Sequence, residues 1–138
     1  MDELIAKLHE GGYSCVINKD GETVTFSRGG IADLYDLTQN KPGFLKDAVV
    51  ADKIVGKGAA ALMILGGISA LYADVISQPA LNLLRKAGIK PDFAQEVPFI
   101  WNRENTDWCP IEKLCYKETS AEAILPLIDR FFTQHRKA

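Results

Sequence analysis

"VVADKIVGKGAAALMILGG", residues 49–67, decides how the fold is read. Its only charged residues are Asp52, Lys53 and Lys57, and the rest is apolar up to the Gly66-Gly67 pair. Read as one helix, it runs from about Asp47 to Leu65 and buries its second half in a core. Gly56, Gly58 and Ala59, Ala60 and Ala61 then let that helix approach a sheet closely. Lysines at a helix start are opposed by the macrodipole, by about 0.3–1 kcal/mol at exposed sites. Lys53 and Lys57, four residues apart on one helical face, also repel weakly. An anion drawn by both lysines and by the first backbone N–H groups would explain the arrangement. A solvated helix end with snorkelling lysine stems is the alternative. A nucleotide P-loop does not fit, because Ala51 stands where G-x-x-x-x-G-K-[ST] needs its first glycine and Gly58 where it needs the hydroxyl.

Before this stretch, Leu4, Ile5 and Leu8 share one face of a helix over residues 2–10, with Gly11-Gly12 as its stop. "YSCVINKDGETVTFS" (13–27) reads as a hairpin turning at Asp20-Gly21. A helical stretch from Ile31 ends at Pro42-Gly43. After it, "ISALYADVI" (68–76) is apolar on both faces and suits an interior strand. Ser77 caps a helix with Pro79 in its first turn, ending at Gly88. A strand over Ala94 to Trp101 is interrupted in principle by Pro98. "CPIEKLC" (109–115) opens a short helix with Glu112 at its third position, and a last helix covers Ala121 to Arg136 with Pro126 inside it. A strand-helix-strand crossover makes one parallel pair and the hairpin an antiparallel one. The expected architecture is α/β: a mixed sheet with helices on both faces.

At 138 residues the chain reads as a single domain over 1–138. Its net charge of −2 gives no electrostatic reason to bind nucleic acid or an anionic membrane. "MDELIAKLHE" has no basic segment leading into an apolar one, which argues against a secretory signal. The longest apolar run is broken by the glycine pair and is too short to span a bilayer. Cys15, Cys109 and Cys115 are an odd number and read as reduced thiols, so a cytoplasmic location is expected.

The element order, with "ADKIVGKGAAAL", "SQPALNLL" and "VPFIWNRENTDWCPIE", resembles an uncharacterised bacterial family, a domain of unknown function with a cytidine deaminase-like, three-layer α/β/α fold. The resemblance covers nearly the whole chain. In the wider superfamily it implies an H-x-E-type motif at one helix start and P-C-x-x-C at the next, together holding a zinc ion that activates water. Here the second motif keeps Pro79 but has Ala80 and Leu83 for the thiolates, and the first place offers Asp52 and Lys53. None of these makes a zinc site. His9 and His135 lie near the chain ends and read as surface residues. No metal or cofactor is expected, and zinc-dependent deamination is disfavoured.

Ser77 and Gln78 after the third strand, and Asn102 and Arg103 after the fourth, lie beyond the carboxyl ends of strands, where open α/β sheets bind ligands. Asp52, Lys53 and Lys57 join these candidates because the resemblance implies that their helix start faces the superfamily's ligand pocket. Trp101 and Trp108 are suited to stacking on a planar ring. Arg103 suits a phosphate or carboxylate, and Arg28-Gly29-Gly30 is a weaker candidate at the same mouth. For Ser77 a plain helix cap, and for 102–107 a solvated loop, are the simpler readings. The expected partner is a nucleotide-like or other anionic small molecule, with a homodimer implied by analogy. The alternative is an enzyme using Cys109 as nucleophile or Lys53 as base, although no histidine lies near Cys109 in sequence to serve it. Cys15 reads as core.

Overall fold

The stretch 49–67 is a strand followed by a helix. In the computed structural model, which describes residues 1–28, 31–102, 104 and 106–136 (backbone only for 135 and 136), β3 spans Val49–Val55 and α3 spans Lys57–Gly66. Gly56 separates them in an extended conformation (φ −97°, ψ −179°), which ends the strand and admits the helix at the next residue. The single-helix reading of Asp47 to Leu65 is therefore corrected. Val49, Val50, Ile54 and Val55 are β-branched; the first two lie between two neighbouring strands and the last two pair with one, and they gain the ladder hydrogen bonds that favour such residues. Periodicity did not reveal this, because an interior strand and a buried helix are both apolar on every side.

The remaining elements are α1 (Asp2–Glu10), β1 (Cys15–Lys19), β2 (Glu22–Phe26), α2 (Ala32–Asn40), β4 (Ala70–Ser77), α4 (Gln78–Lys86), β5 (Asp92–Val97), α5 (Pro110–Cys115) and α6 (Ala121–Arg136). The hairpin turns where the sequence places it, with Asp20 and Gly21 both at positive φ (52° and 84°), as a two-residue type I′ turn requires. β5 ends before Pro98, several residues short of Trp101. The sheet order is β2-β1-β3-β4-β5. β3 is antiparallel to β1 and parallel to β4, and β5 continues the parallel set.

The two faces are covered unequally. Val50, Leu71, Ala73 and Ile76 belong to the main core with Ala59 to Met63 of α3, Leu81 and Leu84 of α4, and Ile124 and Ile128 of α6. Val16, Ala51 and Tyr72, in the opposite strand phase, pack against Leu4 and Leu8 of α1. Along β3 the inward spacing lengthens from two residues (Val50 to Asp52) to three (to Val55), and β4 does the same from Ala73 to Ile76. Because both strands shift together, they stay paired up to Val55 and Ile76. Gly58 admits α5 rather than the sheet: a Cβ there would lie 2.4 Å from Ile111 Cγ2. Among the described residues, no helix is long and apolar enough to cross a membrane.

Candidate functional site

The carboxyl ends of β3 and β4 lead directly into α3 and α4, so the starts of both helices converge at one edge of the sheet. Helix starts carry N–H groups with no partner inside the helix. At α3 that need is met by Glu112 of α5, whose Oε1 accepts from the Lys57 backbone N–H at 2.8 Å. The Ser77 hydroxyl lies 3.2 Å from the same oxygen, and Oε2 accepts from Ile100 N–H at 2.9 Å. Glu112 is 1% exposed. One buried carboxyl group thus joins α3, α4, the segment after β5 and α5, and takes up a donor that the start of α3 leaves without a helical partner.

Local chemistry explains why Glu112 is available. As the third residue of α5 it would ordinarily turn back to the N–H of Cys109. That N–H instead donates to the Ile100 carbonyl at 2.7 Å, so the carboxylate reaches across to α3. Ser77 also caps α4, its Oγ accepting from Ala80 N–H at 3.3 Å. Lys57 is 7% exposed, and its Nζ donates to the Tyr116 carbonyl at 2.9 Å. Burial lowers the Lys57 pKa from its ordinary value, while Cys115, Glu112 and Glu118 act in the other direction.

Asp52 belongs to a second cluster at the same end of the sheet. It sits opposite Cys15 in the β1–β3 ladder, and Cys15 in turn sits opposite Phe26. The residue is half-buried, and burial raises its pKa to about 7. The backbone N–H groups of Ile54 and Lys53 and the Cys15 thiol lower it, whereas the charge of Asp74 adds to the rise. Burial, then Asp52, pushes the Cys15 thiol well above its usual value.

Beyond β5 the chain builds a shelf of rings. Phe99 stacks on Trp108 with centroids 4.5 Å apart, and Trp101 meets Phe99 edge-on at 4.8 Å. Tyr116 meets Trp108 edge-on at 4.9 Å. A bridge between Trp101 and Trp108 closes the loop that carries them. Beside Trp108 lies an open crevice of about 350 Å³, lined by Asn102, Asp107, Pro110, Lys113 and Leu114. The shelf touches the first cluster through Tyr116, which holds Lys57, and through Ile100, which binds Glu112.

The family model of a domain of unknown function, DUF1893 (TM1506), matches residues 3–132. The chain belongs to that family. A solved structure of a DUF1893 family protein (TM1506) from Thermotoga maritima shares its fold, with a TM-score of 0.87 at 24% identity over 95% of this chain and 88% of that one. No curated protein matches the chain.

In this DUF1893 domain the two motif positions can be tested as a zinc site. α3 begins with Lys57, Gly58 and Ala59, so the helix start lies past Asp52 and Lys53, which stand on β3. At the start of α4, Ala80 and Leu83 are buried apolar side chains. Among the described residues, no three His, Cys, Asp or Glu side chains gather as a metal site. The donor set does not fit zinc.

Of the candidates read from the sequence, the structure joins Lys57 and Ser77 through Glu112. Lys53 is an exposed strand residue, so it shares no helical face with Lys57 and the repulsion argued for that pair does not apply. Gln78 is exposed at the first position of α4. Asn102 braces its own loop, bonding to Thr106 through both ends of its amide. Arg28 pairs with Asp33 and Asp36 of α2, at the end of the sheet where Asp52 lies. Cys109 is half-buried, and His9 is bonded to Asp74 at 2.7 Å, beside Tyr72 on the α1 face. Arg103, Asn105, Gly29, Gly30 and the His135 side chain lie outside the described residues. The residue that sequence reasoning missed is Glu112. A glutamate at the third position of a helix capped by Cys109 was the available signal, because cysteine is a weak cap and leaves that carboxylate to other work.

Proposed function

We propose that this DUF1893 domain binds a nucleotide-like small molecule at the crevice beyond β3, β4 and β5, and does not carry out zinc-dependent deamination. The observation that supports the reading is the Lys57–Glu112–Ser77 network. It fixes two helix starts and the segment after β5 together at the carboxyl ends of the parallel strands, the end at which α/β sheets take their ligands. Asp52, Lys53, Gln78, Asn102 and Arg103 are proposed as further ligand contacts. We read the sheet as cytidine deaminase-like, with Ala80 and Leu83 replacing the metal-binding thiols. The three free cysteines suit a reducing cytoplasm, and self-association remains an inference by analogy.

Thermal shift against nucleosides, nucleotides and sugar phosphates tests the reading. Stabilisation that weakens in Lys53→Ala or Ser77→Ala is the expected result. No stabilisation at millimolar concentrations, or stoichiometric zinc in the purified protein, would overturn it. An enzyme using Cys109 or Lys53 is the competing proposal, and turnover that survives in Cys109→Ser and Lys53→Ala would exclude it.

A further inference from the structure

We propose that the ring shelf is the binding surface proper, and that its ligand is an uncharged heteroaromatic of the nucleobase or nucleoside kind rather than a nucleotide. This deepens the binding reading above and rests on it.

The first argument is the shape and exposure of the shelf. Trp101 and Tyr116 are each 52% exposed, although both are large apolar rings already anchored by neighbours. Phe99 and Trp108 form a stacked base beneath them, so the outer rings keep a fixed orientation while offering surface to solvent. Rings held in this way can stack on a planar partner at little cost in conformational entropy. The crevice at Trp108, about 350 Å³, lies within the range of small-molecule sites. Leu114, 40% exposed, extends its apolar wall. Asn102, Asp107 and Lys113 make the rim polar, but Asn102 is bonded to Thr106 and Asp107 to Lys113 and the Trp108 N–H, so the ring faces carry the recognition.

The second argument is charge. At the crevice itself, among the described residues, the groups suited to an anion are already engaged by the protein, and the exposed Lys53 stands on β3 outside the crevice lining. Glu112 takes the N–H at the start of α3, the Tyr116 carbonyl holds the Lys57 ammonium, and Asp107 pairs with Lys113. A phosphate in this crevice would face the Asp107 carboxylate at its rim or compete with a buried glutamate for its donors. A neutral ring meets neither cost.

The chain has only two tryptophans, Trp101 and Trp108, and both belong to the shelf, so selectively excited tryptophan fluorescence reports on it. The full-length protein is titrated with adenosine, cytidine, their 5′-monophosphates and ribose 5-phosphate, with Tm and sedimentation measured alongside. A nucleoside is expected to quench the fluorescence and to bind at least as tightly as its monophosphate. Trp101→Ala should weaken that binding about tenfold or more, as loss of a stacking ring does, while Trp101→Phe retains most of it. Because Trp101 is exposed, the Ala variant should keep its Tm. If Trp101→Ala does unfold, loss of nucleoside binding in Tyr116→Ser carries the same test. A monophosphate that binds tenfold tighter, or ribose 5-phosphate that stabilises the protein regardless of Trp101, overturns this inference and leaves the binding-domain reading standing. A dimer that dissociates in Trp101→Ala without any nucleoside effect also overturns it, marking the shelf as a protein contact. No response to any compound overturns both.

Discussion

The carboxylate of Glu112 accepts the backbone N–H of Lys57 at 2.8 Å, so the first turn of α3 is capped by a side chain 55 residues away. The same group accepts from Ile100 and bonds to Ser77, and every one of these partners loses its bond if Glu112 is truncated. Glu112→Ala should therefore destabilise the fold by about 2–4 kcal/mol, beyond the value of one ordinary hydrogen bond. Glu112→Gln, which keeps an acceptor oxygen, should cost less. Urea denaturation distinguishes them; a loss below about 1 kcal/mol in the Ala variant would show that the network is not structural.

Ser77→Ala removes both an N-cap and one partner of that carboxylate. The expected loss is about 1–2 kcal/mol, the upper end of a cap substitution. Combined with Glu112→Gln, the two losses should fall short of their sum, because they share a bond. Strict additivity in a double-mutant cycle would mean that the 3.2 Å contact contributes nothing.

Asp52 makes stability depend on pH. Its pKa rises from 3.8 to about 7 on folding, so the folded chain holds this proton more tightly than the unfolded one. The resulting stabilisation is full below about pH 4 and is lost as pH rises through about 7. It is bounded by roughly 4 kcal/mol, from about three pKa units. Asp52→Asn should remove the slope. The measurement is the difference in unfolding free energy between wild type and variant at pH 4 and pH 8, and an unchanged difference contradicts the burial of this carboxyl.

Gly58 has no room for a side chain. A Cβ at this position would meet Ile111 Cγ2 at 2.4 Å, so Gly58→Ala should destabilise the domain by about 1–3 kcal/mol. Ile111→Val, which removes one methyl group, should recover part of that loss in the double variant. Thermal melts that show no recovery would place the strain elsewhere.

The three thiols should react in different phases. Cys109 is half-buried, whereas Cys15 and Cys115 are buried, and burial raises Cys115 to about 12. A disulfide reagent at neutral pH should therefore titrate one thiol in the native protein and all three in denaturant. Rapid native labelling of Cys115 would show that α5 opens readily.

Local chemistry alone determined the hairpin at Asp20-Gly21, the Ser77 cap, the glycine stops and the short helix opened by Cys109-Pro110. Each depends on backbone angles and hydrogen bonds within a few residues, which sequence specifies directly. The order of the elements, rather than local chemistry, pointed to a parallel crossover and to the mixed α/β class. Neither decided residues 49–67, since a largely buried interior strand and a buried helix present similar runs of apolar residues. Only the neighbours decide between them: β1 and β4 supply the ladder that makes 49–55 a strand. The candidate site divides in the same way. Lys57, Ser77 and the two tryptophans stand out in the sequence by residue type and position. Glu112 shows locally only as the third residue of a short helix, because its partners, the α3 donor and the Ile100 N–H, are brought to it by the tertiary structure.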